Sequence, residues 1–287
     1  MRSLLFVPAL SLIAAPAMAE APAFDVHVHL HDGEASLDAY EASLEGEADG
    51  PRYAAMWFGG PNGAPASDPA AIRAANDSIL DLAGRHPGMI PVVTVHPYDG
   101  DAALQELTRV AARGARILKL HPHTQRFEVT DPRTQAVVQQ AGQLDLIVLF
   151  DNANILPGDS EKLFNLALAN PRTRFIFAHI GGMNFRFWNV LAAARTADGL
   201  VGDNIHFDPS AIVTLVAGSP VADEFVWTLR NVGIRNVLLG SDYPQYSLAA
   251  NIAALEQLGL EKDEIGLIRS GNARRLLGLE AAAPVGD

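Results

Sequence analysis

Short apolar runs alternate along the chain with longer segments in which apolar residues recur every three or four positions. Runs of four to eight β-branched, aromatic and aliphatic residues read as buried strands, and the 3–4 spacing reads as amphipathic helix. Eight strand candidates follow in order: "AFDVHVH" (23–29), "RYAAMWF" (52–58), "MIPVVTV" (89–95), "ARILKLH" (115–121), "LDLIVLF" (144–150), "RFIFAHI" (174–180), "NIHFDPS" (204–210) and "NVLLGSD" (236–242). Between them lie helical segments such as 68–86, 101–114 and 131–144, each opening on an Asp suited to cap a helix. Strands that alternate this regularly with helices pair in parallel through βαβ units. The expected fold is α/β, a (β/α)8 TIM barrel in one domain, for which a length near 250 residues is usual. An open doubly wound sheet is the alternative topology. No internal repeat or composition break marks a domain boundary.

A barrel of this kind carries its active site at the C-terminal ends of the strands. The polar residues collect at those ends. His27 and His29 close strand 1, with Asp25 expected on the same inward face because side chains at i and i+2 share a face. Lys119 and His121 close strand 4, Asp151 follows strand 5, His179 ends strand 6, His206 and Asp208 end strand 7, and Asp242 ends strand 8. A single histidine at a strand end is ordinarily a satisfied core residue. Six strand ends bearing imidazoles, carboxylates and an amine form the donor set that a catalytic divalent ion requires. His31 lies just past strand 1, as a pocket residue or plain surface. Ser241, by alternation, faces the helices. The Gly59-Gly60-Pro61-Asn62-Gly63 loop either shapes a pocket or merely turns the chain. Sequence signatures of P-loops, dinucleotide folds, zincins and serine hydrolases are absent.

Composition and charge then narrow the partners. The chain is 287 residues, 49% hydrophobic, without cysteine, and carries a net charge of -12. Such an acidic surface argues against nucleic acid and anionic membranes as partners; a small-molecule substrate is the expected partner. Homo-oligomerisation is left open. The lack of cysteine removes disulfides, so stability rests on a large core. Met1-Arg2, the apolar run "LLFVPALSLIAAP" and "AMA" before Glu20 have the form of a cleaved secretory signal over 1–19. The expectation is an exported protein, periplasmic or secreted, with no membrane attachment after cleavage. The terminal 281–287 reads as a disordered tail. Asn76-Asp77-Ser78 is an isolated acceptor triplet for glycosylation and is expected to be silent.

Five pieces, "FDVHVH", "ILKLHP", "FIFAHIGG", "VLLGSDYP" and "GNARRLLGL", stand in the order found in the amidohydrolase superfamily. Together they resemble the amidohydrolase-related branch that includes the aminocarboxymuconate-semialdehyde decarboxylase-like enzymes. The resemblance spans 20–280. It implies that His27 and His29 bind a divalent metal, zinc first and manganese as the alternative, and that Asp242 binds it or handles protons. It also implies that His179 ligates a second metal or positions the water. Some superfamily members carry a metal-bridging carboxylated lysine at strand 4, but in this branch the "KLHP" lysine is usually not a ligand. Lys119 is therefore expected either to be ion-paired or to face the substrate, in which case Lys119, His121 and His123 would bind a substrate carboxylate. The departure lies on strand 5, where the family's histidine is replaced by Asp151. An aspartate can still ligate through oxygen, which gives an expected metal set of His27, His29, Asp151 and Asp242, with Asp242 and His179 catalytic. The resulting expectation is a metal-dependent hydrolase that cleaves an amide, lactone or similar carbonyl bond with an activated water. A decarboxylase is the alternative. A metal-free lactonase-like enzyme or a non-catalytic binding barrel would follow from loss of the strand 5 histidine.

Overall fold

The computed structural model describes residues 21–44, 46, 50–57 and 68–279. The leader, the Gly59–Gly63 loop and the C-terminal tail lie outside the described residues. Seven of the eight expected strands form: β1 (Asp25–His29), β2 (Tyr53–Met56), β3 (Met89–Thr94), β4 (Ile117–Leu120), β5 (Ile147–Phe150), β6 (Arg174–Ala178) and β7 (Ile205–Asp208). They pair in sequence order, all parallel, in one sheet. The result is an α/β, TIM-barrel-like arrangement.

The eighth candidate, "NVLLGSD", is not a regular strand. Val237 bridges Phe207 of β7 and Tyr243 bridges Val28 of β1, each in isolation. Leu238 N donates to Phe207 O at 2.8 Å, and Val26 N donates to Leu239 O at 3.0 Å. Asp242 N donates to His27 O at 2.9 Å, and His29 N to Tyr243 O at 2.8 Å. Segment 237–243 is thus hydrogen-bonded to both edges of the sheet without strand geometry. Two local features explain this. Asp242 has φ of 60°, outside the extended region. Gly240 is pressed against the Asp208 carboxylate, where a Cβ would collide.

Strand alternation sorts the buried residues into two clusters. One lies between sheet and helices and includes Val28, Ala55, Val93, Leu118, Val148, Phe175, Phe177 and Phe207. The other includes Val26, Ala54, Val92, Ile117, Leu149 and Ile176 on the opposite faces of the strands, together with Leu238, with Ala273 and Leu276 of the last helix, and with Leu277 at its C-cap. Arg116 and Arg174 fasten that helix by donating to the Leu277 and Leu276 carbonyls at 2.7 and 2.9 Å.

The caps form as the sequence predicts at two of the three helices. Asp68 accepts from Ala70 N and Ala71 N, and Asp131 from Arg133 N, each followed by a proline at the first helical position. The third helix begins at Asp101 itself, with Gly100 before it. Asn76 is 1% exposed and bonds both to the Thr94 backbone and to Glu106, so its amide is closed to modification in the folded protein. Among the described residues no helix is long and apolar enough to cross a membrane.

Candidate active site

The strand ends open into a cleft of about 430 Å³, lined by His27, His29, His31, Lys119, His121, Asp151, His179 and Asp242. Ala153, Ile155, Ala211, Ile212 and Leu215 add an apolar portion of the wall, and Tyr243, Gln245 and Tyr246 add polar groups. Seven of the eight residues singled out as site candidates therefore meet here. His123 does not line this cleft. It turns to Asp159, with Nε2 2.9 Å from that carboxylate, in a neighbouring depression. His31 is a cleft residue, its ring 6.5 Å from that of His29.

Two clusters make up the polar floor. In the first, His27 Nε2 lies 3.0 Å from His29 Nε2, and Asp242 Oδ1 is 3.6 Å from His27 Nε2 and 3.4 Å from His29 Nε2. These three residues can each turn one ligand atom toward a common point. Their spacing matches the ~3.3 Å between donors that bonds of ~2.0–2.1 Å at tetrahedral angles imply. The donor chemistry also fits. His27 Nδ1 donates to Asp208 Oδ2 at 2.7 Å, which leaves Nε2 as the lone-pair nitrogen facing its neighbours. Lys119 Nζ donates to that same Nε2 at 3.1 Å. His27, His29 and Asp242 would hold a divalent ion. Asp151, also expected as a ligand, lies outside this trio, beside His179 and His121.

The second cluster is Asp151 with two histidines. Its Oδ1 is 3.4 Å from His179 Nε2 and 3.6 Å from His121 Nε2. His179 Nδ1 donates to the Ser210 carbonyl at 3.1 Å. Both His179 nitrogens therefore face acceptors, and the ring is held as imidazolium.

Electrostatics follow from burial set against these partners. Burial alone would lower the His179 pKa, but the Asp151 hydrogen bond and charge overcome it and lift the ring to about 9. Burial pushes Asp151 up, yet the His179 hydrogen bond and the charges of His121 and His179 win and hold it far below the usual carboxylate range. Asp242 behaves alike: burial opposes ionisation, and His29, His27 and His179 bring it down to about 2. His27 is kept neutral, chiefly by burial and then by the Lys119 charge. Burial brings His121 down to about 4. Lys119 is lowered by burial, against the pull of Asp151, Asp242 and Asp208. At neutral pH the floor thus carries the carboxylates Asp151 and Asp242, cationic His179, and neutral His27 and His121.

Two expectations about side-chain direction change. Asp25 does not share the inward face of His27. The β1–β2 register shifts between Asp25 and Val28, and this irregularity turns Asp25 to the helix side, where Tyr40 Oη donates to it at 2.8 Å. Its carboxyl also accepts from His27 N and Ser241 N, and burial raises its pKa to about 7. His206 is buried on the inner face of β7 without reaching the cleft, and no hydrogen-bond partner meets its Nδ1. Ser241 is structural, as alternation predicts: its Oγ donates to the His27 carbonyl. Sequence reasoning placed Asp208 at a strand end but assigned it no role, and it missed Ser210. Only the position of Asp208 was visible; Ser210 follows Pro209, where strand periodicity has stopped.

The amidohydrolase family model matches residues 24–279. The chain belongs to the amidohydrolase family. No curated protein sequence matches it. Among solved structures this amidohydrolase is similar to 5-carboxyvanillate decarboxylase from Sphingomonas paucimobilis, at 18% identity, covering 79% of this chain and 78% of that one with a TM-score of 0.59. It is also similar to a dihydroxybenzoic acid decarboxylase from a Polaromonas species with bound manganese and the inhibitor 2-nitroresorcinol (13% identity, 92% and 98% coverage, TM-score 0.63). A probable 2-pyrone-4,6-dicarboxylic acid hydrolase from Acinetobacter baumannii with citric acid bound is comparable, at 15% identity, 90% and 99% coverage and TM-score 0.63. At such identities these likenesses speak for the fold.

Proposed function

We propose that this amidohydrolase is an exported, metal-dependent decarboxylase of a small carboxylic acid, with segment 237–243 serving as the eighth stave of its barrel. The observation that carries the reading is the pairing on one cleft floor of a His27–His29–Asp242 donor group with a cationic His179 held by Asp151. The decarboxylases among the similar structures, one of them with manganese, support it. Manganese or zinc fits two imidazoles and a carboxylate. When bound, the ion would supply positive charge against the substrate's oxygens and against the electron pair released at carbon.

The chain's own groups do the rest. Lys119 provides an N–H donor for a substrate carboxylate, His179 supplies positive charge beside it, and His121 offers a neutral ring. The bond from carbon to the departing carboxylate breaks with its electron pair left on carbon, and carbon dioxide leaves. His179 gives that carbon its Nε2 proton, so one proton is consumed per turnover and solvent restores it through the open cleft. Asp151 keeps the ring charged before transfer. Asp242, ionised down to a pH of about 2, is suited to a ligand's role rather than an acid's.

A hydrolase is the second reading, supported by the likeness to the pyrone dicarboxylic acid hydrolase. There the ionised Asp242 would accept a proton from the attacking water. A panel of aromatic carboxylic acids and a pyrone dicarboxylic acid, incubated with the manganese- or zinc-loaded enzyme, separates the two by product mass and carbon dioxide release. Loss of carbon dioxide supports the decarboxylase, whereas uptake of water without gas release overturns it. The N-terminal leader, with its charged start, apolar run and A-x-A site, supports export. Sequencing the N-terminus of protein recovered from outside the cytoplasm tests that part.

A further inference from the structure

The strand-end turn after β7 touches both clusters of the cleft floor. Asp208 is fully buried, and each of its oxygens has a fixed task. Oδ1 accepts from Ser210 N at 2.8 Å, while Oδ2 accepts from Ser210 Oγ at 2.9 Å and from His27 Nδ1 at 2.7 Å. Ser210 Oγ also stands 3.3 Å from His27 Nδ1 and 3.3 Å from His179 Nδ1, and the Ser210 carbonyl accepts from His179 Nδ1. Gly240 closes the back of this arrangement, since a Cβ there would strike the Asp208 carboxylate.

We propose that the turn Asp208–Pro209–Ser210 is a positioning element that decides which nitrogen of His27 carries the proton, and thereby whether His27, His29 and Asp242 can receive a divalent ion. The inference rests on the metal reading above. A neutral imidazole has one N–H and one lone pair, and the partner of one nitrogen dictates the state of the other. Asp208, already accepting from Ser210 N and Oγ, offers His27 Nδ1 an acceptor, and Lys119 Nζ, 3.1 Å from Nε2, favours the same proton placement from the other side. The proton is drawn to Nδ1, and the lone pair of Nε2 faces His29 and Asp242. The same turn gives His179 an acceptor at Nδ1 as well. That ring differs because Asp151, a second acceptor, faces its Nε2. One turn thus places protons on the Nδ1 atoms of both rings, and the group opposite each Nε2 sets their separate uses.

The arrangement makes Asp208→Asn informative. Ser210 N–H requires an acceptor at the Oδ1 position, so the asparagine oxygen must stay there and its NH2 group must point at His27 Nδ1. That nitrogen then has to accept, the proton moves to Nε2, and the lone pair leaves the cleft. Asparagine is nearly isosteric with aspartate, so shape alone predicts little change. Ser210→Ala is the contrast, since it keeps the carboxylate–imidazole bond.

The test uses metal-free protein with 15N-labelled histidine, read by long-range proton–nitrogen correlation, followed by manganese titration in a calorimeter. The wild type should show His27 protonated on Nδ1 with an imine-type Nε2 resonance. Asp208→Asn should exchange the two and weaken manganese binding by about 10–100-fold, the cost typical of losing a ligand's outer partner. Ser210→Ala should keep the Nδ1–H form and lose much less affinity. An Nε2–H form in the wild type, or unchanged manganese affinity in a folded Asp208→Asn protein, overturns the proposal. If Asp208→Asn does not fold, the wild-type tautomer and the Ser210→Ala affinity still decide. A wild type with the expected tautomer that takes up neither manganese nor zinc refutes the metal reading instead, while the assignment of the proton stands.

Discussion

His179 Nε2 lies 3.4 Å from Asp151 Oδ1, so the carboxylate just past β5 is the group that charges the histidine just past β6. A histidine at position 151 could have offered a lone pair to a metal. An aspartate there draws a proton onto its neighbour instead. The aspartate thus builds an ion pair into the cleft floor.

Asp151→Asn removes the carboxylate that lifts His179 to about 9, and burial then dominates. The His179 pKa should fall by about 2 pH units or more, to or below the ordinary histidine value. The basic limb of the kcat/KM profile should move to lower pH with it. Nitrogen chemical shifts of His179 across the titration provide the direct check, and an unmoved pKa would remove Asp151 as the cause. The sign carries through to stability. A raised folded pKa stabilises fully below about pH 6.5, and that contribution is lost as pH rises through about 9.

Metal retention should separate the two clusters. His27→Ala and Asp242→Ala each delete a donor of the trio and should release divalent ion, with affinity reduced by more than the ~10–100-fold of an outer partner. Asp151→Asn should keep the metal. Elemental analysis of dialysed protein gives the comparison, and metal loss in Asp151→Asn would return that residue to the ligand set.

His206 predicts acid sensitivity far from the cleft chemistry. Burial holds its pKa down to about 4, so the folded state takes up fewer protons than the unfolded chain as pH falls below about 6.5. Stability should decline from pH 6.5 to 4, with His206 contributing on the order of 3 kcal/mol. His121, also lowered to about 4, adds in the same direction. Urea midpoints measured across that window should fall less steeply in His206→Leu than in wild type. Equal slopes would show that the ring already titrates normally.

Gly240→Ala places a methyl group against the Asp208 carboxylate. Overpacking of this kind costs about 1–3 kcal/mol. Thermal unfolding should record the loss, and manganese affinity should drop because the displaced carboxylate is the partner of His27. Stability and affinity both unchanged would mean that segment 237–243 moves aside freely.

Local periodicity made much of this protein legible in its sequence. Seven strands, two of the Asp caps and the strand-end positions of His27, His29, Lys119, Asp151 and His179 follow from apolar patterning, because backbone geometry ties spacing to face within a regular element. The rule failed where regularity failed. The register shift in β1 turned Asp25 to Tyr40, the left-handed backbone at Asp242 kept 237–243 from becoming a strand, and His123 lay on a short helix that aims it at Asp159. Pairings across the sheet were beyond it altogether. His27 meets Asp208 across 181 positions of sequence, at 2.7 Å, only because segment 237–243 brings β7 and β1 together. The sequence by itself determined which groups stand at the strand ends. Tertiary structure decided which of them face one another, because a proton's place depends on contacts of a few ångströms that curvature and register set.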